Sequence, residues 1–323
     1  VIDGRYRIER LLGKGGMGAV YRARHSVLGR PVAVKFLHVE YAGDEEIVKR
    51  FYREAQAAAS IGHPNIIEVM DVGVSPGQEP YLVMEYLEGE SLASLLQRRA
   101  PIDLALACGI LEPALSALHA AHEKGIVHRD LKPDNIFIAQ KGDGPPLVKL
   151  IDFGISKFTA AADQSQLTRT GSLLGTPAYM SPEQARGDRG VDARSDIYSM
   201  GVILYEMLTG RLPFRGENYN QLLVRILTEA PVPPRESFND FPGEAESIVM
   251  DALAREPGER IPSAPALLER LSRTSGWSNR QGAMERLFRG VSATTFAGGD
   301  LGVALKEPGD SRVASKVLSE LSG

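Results

Sequence analysis

One cysteine, Cys108, stands in a chain of 323 residues. A lone thiol excludes an internal disulfide and any zinc cage built from cysteines. It also sets aside the small secreted scaffolds that depend on paired cysteines, so a reducing cytoplasm is the expected location. Its neighbours Ala107 and Ile110 are apolar, the surroundings of a buried and inert thiol. Long hydrophobic runs are missing too: no stretch of about 18 or more apolar residues is available to cross a membrane. The residues from Val1 onward carry no secretory pattern, and a membrane segment beyond Gly323 is left open. Neither charge is in large excess, with 37 Lys and Arg against 41 Asp and Glu and a net charge of −4. That balance argues against a nucleic-acid-binding surface and against a disordered chain.

What is present is an ordinary globular composition, 43% hydrophobic and 24% charged. The length suits one large domain or two modest lobes with a buried core. Residues 1–40 read as strands, including the β-branched run Val32-Ala33-Val34-Lys35-Phe36-Leu37. Asp44-Glu45-Glu46 opens a helix, where acids suit the positive end. Ile47, Phe51, Glu54, Ala58 and Ile61 recur on one face, and Gly62-His63-Pro64 stops it. Apolar segments follow at Ile66–Val74 and Tyr81–Leu87. From Ser91 the pattern turns helical, with predicted helices over Leu104–Lys124, Ser195–Thr209, Gln221–Leu227, Ala245–Ala254 and Ala264–Leu271. The expected division is a strand-rich lobe over 1–87, a helix-rich lobe over 88–274, and a linker or tail over 275–323. In that tail Met284, Leu287, Phe288 and Val291 are spaced to line a short helix.

Three constellations carry chemistry. His128-Arg129-Asp130-Leu131-Lys132-Pro133-Asp134-Asn135 places a carboxylate, an ammonium and a carboxamide close together. Asp130 can accept a proton, Lys132 can balance phosphate charge and Asn135 can hold a metal ion, a set suited to phosphoryl transfer from ATP. Leu12-Gly13-Lys14-Gly15-Gly16-Met17-Gly18-Ala19-Val20 contains a G-x-G-x-x-G pattern. Alone that pattern is weak, and a dinucleotide loop should open a helix. Here the following residues alternate like a strand, so the loop reads as a hairpin tip whose backbone N–H groups can approach phosphates. Lys35 lies inside an apolar strand, and a buried lysine needs a partner; Glu54, sharing the inward face of the next helix, is the candidate. Asp152-Phe153-Gly154 closes the apolar run Leu147-Val148-Lys149-Leu150-Ile151. A carboxylate at a strand end suits magnesium, which takes few protein carboxylates and fills its shell with water and phosphate oxygens.

Taken together, these residues resemble the protein kinase family over roughly 6–272. Further matches are Ser181-Pro182-Glu183 and Asp196-Ile197-Tyr198-Ser199-Met200-Gly201. Lys132 with Gly175-Thr176-Pro177 is similar to the serine/threonine branch. Gly-Gly-Met-Gly and Ser-Pro-Glu-Gln-Ala-Arg-Gly resemble the bacterial eukaryote-like (Hanks-type) members. The resemblance implies a bilobal α+β fold, with a small antiparallel sheet and one helix in the first lobe and a mainly helical second lobe. It implies ATP as cofactor with Mg2+, Mn2+ being a possible substitute, and proteins with Ser/Thr acceptors as substrates.

The resemblance also assigns roles. Asp130 orients the acceptor hydroxyl and takes its proton, Lys132 steadies the phosphoryl group, and Asn135 and Asp152 hold the metal. Val20, Ala33 and Phe137 wall the adenine, Glu85 and Leu87 give it backbone hydrogen bonds, and Met84 limits the pocket's depth. Glu183 and Arg260 form a buried brace, and Asp196 holds the catalytic loop's backbone. His63 and His119 are expected to be structural, and His128 to support the backbone and pack near Phe153. Asp134 and Glu90 are candidates for favouring basic substrates, and Ile155 leans toward threonine acceptors. Arg129 with Thr168, Thr170 and Ser172 implies control by phosphorylation of the loop, with a homodimer as one route to autophosphorylation. Thr176 reads as a structural contact of Asp130 and Lys132. Two rival readings are a nucleotide-binding scaffold without turnover and a kinase that merely carries an interaction module in its tail. The usual mark of the scaffold is loss of Lys35, Asp130, Asn135 or Asp152, and all four are present.

Overall fold

The computed structural model describes residues 1–140, 144–153, 177–238, 241–287 and 318. The chain divides into two units. The first comprises Val1–Gly62, Ile67–Glu88 and Ala293–Gly323; the second comprises His63–Ile66 and Gly89–Ser292.

The first unit is built on five antiparallel strands in the order β1-β2-β3-β5-β4: β1 (Tyr6–Lys14), β2 (Gly18–His25), β3 (Pro31–Leu37), β4 (Val69–Val74) and β5 (Pro80–Glu85). Alternation sorts the side chains of β3 onto two faces. Val32 and Val34 join Tyr6, Ala23, Tyr81 and Val83 on one face, while Leu37 joins Leu82 on the other. After a short α1 (Val39–Ala42), α2 (Glu45–Ile61) covers that second face with Val48, Phe51, Tyr52 and Ala55. The Asp44 side chain caps α2 by accepting from the N–H groups of Glu46 and Ile47, and Gly62 ends it at φ 65°. Leu318 packs against the same apolar cluster.

The second unit contains α3 (Leu92–Arg99), α4 (Leu104–Glu123), α5 (Pro182–Arg186), α6 (Ala193–Thr209), α7 (Tyr219–Thr228), α8 (Pro234–Ser237), α9 (Gly243–Ala252), α10 (Ala264–Ser272) and α11 (Arg280–Leu287). A small antiparallel sheet joins β6 (Gly89–Ser91), β7 (Ile136–Ala139) and β8 (Leu147–Leu150). Among the described helices α4 alone is long and apolar enough to cross a membrane, but 67% of its apolar stretch is buried inside the unit, the position of a core helix. Its Asp103 cap and the turn at Gly125 (φ 70°) set its ends. The predicted helices form with boundaries shifted by a few residues, because caps such as Asp192 and Asn218 start α6 and α7 ahead of their apolar faces.

Two stretches add to what the pattern gives. Within 275–323, Arg280–Leu287 is helix α11, packed on α4: Met284 lies over Gly109, Arg280 donates to Glu112 at 2.5 Å, and the Arg280 guanidinium stacks 4.0 Å from the Trp277 ring centroid. Phe288 and Val291 lie outside the described residues. His63–Ile66, although flanked in sequence by α2 and β4, is bonded into the second unit. Leu150 N–H donates to the Asn65 carbonyl, and the Asn65 amide donates to the Val148 carbonyl, both at 2.8 Å. The buried Lys149 ammonium donates to the Ile66 carbonyl at 3.2 Å.

Candidate active site

In the first unit, the glycine-rich residues do form a hairpin tip, between β1 and β2. Gly15 N–H donates to the Gly18 carbonyl at 2.8 Å. Lys14, Gly15 and Gly16 are exposed, Gly13 and Met17 half-buried, and Leu12, Gly18 and Ala19 buried. Gly18 is required by close approach, because a β-carbon there would lie 2.0 Å from the Phe36 carbonyl oxygen of β3. The register then orders the face behind the tip. Val20 is the partner of Lys35, Lys35 of Leu82, and Ala33 of Met84. Directly opposed residues share a face, as do residues two apart on a strand. Val20, Ala33, Lys35 and Met84 therefore lie on the face that α2 covers. Glu54 sits on α2 between Phe51 and Ala58, both of which are buried. The lysine and glutamate singled out in the sequence thus belong to the same interior side of this unit. Glu85 ends β5; its N–H donates to the Glu68 carbonyl at 3.0 Å, and Leu87 follows half-buried.

In the second unit, the hairpin β7–β8 gathers the polar residues. Ile136 pairs with Leu150, and the Ile151 N–H donates to the Asn135 carbonyl at 3.0 Å. Asn135 and Asp152 consequently emerge at one end of one ladder. Phe137 is a buried residue of β7. The Asn135 amide donates to the Asp130 carbonyl at 2.8 Å and to its carboxylate at 3.1 Å, and the Lys132 ammonium lies 3.4 Å from that carboxylate. Asp130, Lys132 and Asn135 therefore touch one another. A single carboxylate and an amide at a strand end fit a hard cation whose remaining ligands are water and phosphate. Among the described residues no group of three His, Cys, Asp or Glu offers a closed metal cage.

The backbone here departs from the ordinary. Arg129 and Asp152 take positive φ, 65° and 52°, a region that residues with a β-carbon enter only when their surroundings impose it. Asp196, in the first turn of α6 and 1% exposed, accepts from the N–H groups of His128 at 2.8 Å and Arg129 at 2.9 Å. His122 completes this hold by donating from Nε2 to the same carboxylate at 2.8 Å. His128 is fully buried and packs on Phe153, with ring centroids 4.5 Å apart. Its Nε2–H donates to the Ile151 carbonyl while Nδ1 accepts from Asp130 N–H. Those roles require a neutral ring, and burial holds its pKa below the ordinary histidine value.

Glu183 and Arg260 form a two-pronged buried ion pair at 2.8 and 2.9 Å. Burial alone would raise the Glu183 carboxyl, but hydrogen bonds from Arg260 and Ser195 bring it below its ordinary value. Glu90 is drawn into an ion pair with Arg98 at 2.5 Å. Asp134 is exposed, and its charge acts with burial to raise the carboxyl of Glu206, which accepts from Tyr179 at 2.6 Å. The Arg129 Nε is buried with no hydrogen-bond partner among the described residues. Thr168, Thr170, Ser172, Ile155 and Thr176 lie outside the described residues. Reading the sequence missed His122 and Gln184; a polar residue in the last turn of an apolar helix, and a Gln completing a Ser-x-x-Gln cap, were the available signals.

Known proteins resemble this chain in sequence and in fold. The chain is 43% identical over 265 residues to the serine/threonine-protein kinase pkn3 of Myxococcus xanthus, covering 81% of this chain and 48% of that protein. It is 42% identical to PknB of Mycobacterium leprae, covering 81% of this chain and 42% of the relative. The chain thus spans about half or less of the length of these curated relatives. The crystal structure of the Mycobacterium tuberculosis PknI kinase domain superposes with a TM-score of 0.65 at 26% identity, over 84% of this chain and 96% of that one. The family model described as protein kinase domain matches residues 6–270, and the chain belongs to that family.

Proposed function

We propose that the chain is an active serine/threonine protein kinase that transfers the γ-phosphoryl group of ATP to protein hydroxyls. The observation that carries this reading is the mutual contact of Asp130, Lys132 and Asn135 at the end of the hairpin that also delivers Asp152. In the first unit, the tip Leu12–Val20 covers the phosphates with backbone N–H groups, and Lys35, braced by Glu54, balances their charge. Val20, Ala33 and Met84 line the adenine side of that unit, and Glu85 and Leu87 offer backbone groups to its edge. In the second unit, Phe137 would offer an apolar face to the nucleotide, and Asn135 and Asp152 would hold Mg2+. The metal supplies charge neutralisation along the phosphates. Asp130 orients the acceptor hydroxyl and takes its proton as the bond to phosphorus forms. Lys132 stabilises the transferring group. The exposed carboxylate of Asp134 favours substrates carrying a basic side chain.

Regulation follows from Arg129. Its buried Nε, without a hydrogen-bond partner among the described residues, would provide a charged donor for a phosphate on Thr168, Thr170 or Ser172. The test is incubation of the full chain with γ-labelled ATP, Mg2+ and a basic acceptor protein. The expected result is label on serine or threonine of the acceptor and on the chain's own 159–176 stretch. ATP binding without transfer to either would leave a scaffold instead of an enzyme.

A further inference from the structure

The Arg129–Asp130 peptide unit is gripped at both ends. Its N–H, on Asp130, donates to His128 Nδ1 at 3.3 Å. Its carbonyl, on Arg129, accepts from Gln184 Nε2 at 2.9 Å. Gln184 belongs to α5 and is 4% exposed. At the other end of its amide, Oε1 accepts from Ser181 N–H at 3.0 Å, closing a capping box at the start of α5. The amide has one workable orientation. Exchanging oxygen and nitrogen would set donor against donor at Ser181 and acceptor against acceptor at Arg129. Arg129 is held at φ 65°, so this peptide plane lies where a side-chain-bearing residue does not rest unaided. Rotating the plane re-aims the Asp130 carboxylate.

We propose that Gln184 is a positioning residue for phosphoryl transfer, fixing the plane of the Arg129–Asp130 peptide and tying the aim of Asp130 to α5. The proposal rests on Asp130 being the residue that receives the hydroxyl proton. A purely structural role predicts something different: Gln184 would serve only to cap α5.

Two substitutions in the full chain separate these roles. Gln184→Glu keeps the oxygen that caps Ser181 and removes the donor to Arg129; Gln184→Met removes both. The Glu variant is expected to lose about tenfold or more in kcat, the scale of a misaimed catalytic group, with KM for ATP unchanged. The Met variant is expected to show the same kcat loss together with a lower unfolding midpoint. Amide hydrogen exchange across residues 127–131 is expected to quicken in both. A Gln184→Glu protein with wild-type kcat and wild-type exchange over those residues overturns the proposal. Should the wild-type chain itself transfer no phosphate, the functional reading fails, and the exchange comparison alone decides whether Gln184 holds this peptide.

Discussion

At the scale of single residues, the groupings of candidate residues were legible wherever they were local. Asp130, Lys132 and Asn135 lie within one short stretch, and the face of Lys35 follows from strand alternation. What stayed hidden was held across distance: His122 meets Asp196 over 74 residues and Gln184 meets Arg129 over 55. No periodicity reports such a meeting. Asp130→Asn is expected to lower kcat by about 10²–10⁴-fold, the usual span for a lost proton acceptor, while equilibrium dialysis shows ATP binding kept. Lys35→Met is expected to cut turnover by about 10²-fold or more without moving the unfolding midpoint by more than a few degrees.

His128 gives a dependence on pH. Its folded pKa lies below that of the unfolded chain, so above about pH 6.5 both states are neutral and the ring contributes no slope. Below that the unfolded ring takes a proton that the buried ring refuses. Stability should therefore fall as the pH drops below that value, with a slope from this residue of at most about 1.4 kcal/mol per pH unit. Urea unfolding between pH 8 and pH 5 checks it, and a His128→Tyr chain should lose that component of the slope.

At the scale of elements, caps explain why helix positions were predictable and their first residues less so. Asp192 and Asn218 begin helices before the apolar face does. For α11 the spacing of Met284 and Leu287 pointed to a helix but not to its partner. Its own stripe is weak, and what holds it is a complement on α4, where the absence of a side chain at Gly109 admits Met284. A β-carbon at Gly109 would come within 2.5 Å of Met284 Cγ and 2.9 Å of the Arg280 carbonyl. The methionine can swing aside but the backbone must shift. Gly109→Val should therefore cost about 1–3 kcal/mol by overpacking, read as a lowered urea midpoint. Truncation after Ser275 should cost more stability than truncation after Gly290, because only the first removes the Arg280–Glu112 pair and the Trp277 stack.

At the scale of the whole molecule, the sequence pattern changes near Glu85–Gly89, since strands and helices bury surface with different periods, and the contacts of the chain change units between Glu88 and Gly89. The excursion of His63–Ile66 was not. Four residues with no regular period gave no sign that they complete β8 instead of the sheet on either side of them in sequence. Co-expressed pieces 1–88 and 89–323 should therefore copurify. Each piece eluting alone from a sizing column would contradict the bonding of Asn65 and Ile66.

That excursion bears on how the protein can be inherited and dissected. A gene cut at the apparent boundary separates Lys149 from the carbonyl that receives its ammonium, and β8 from the strip beside it. Neither half is then a module in the evolutionary sense. Shuffling either one onto a different neighbour would require the newcomer to bring its own four-residue patch.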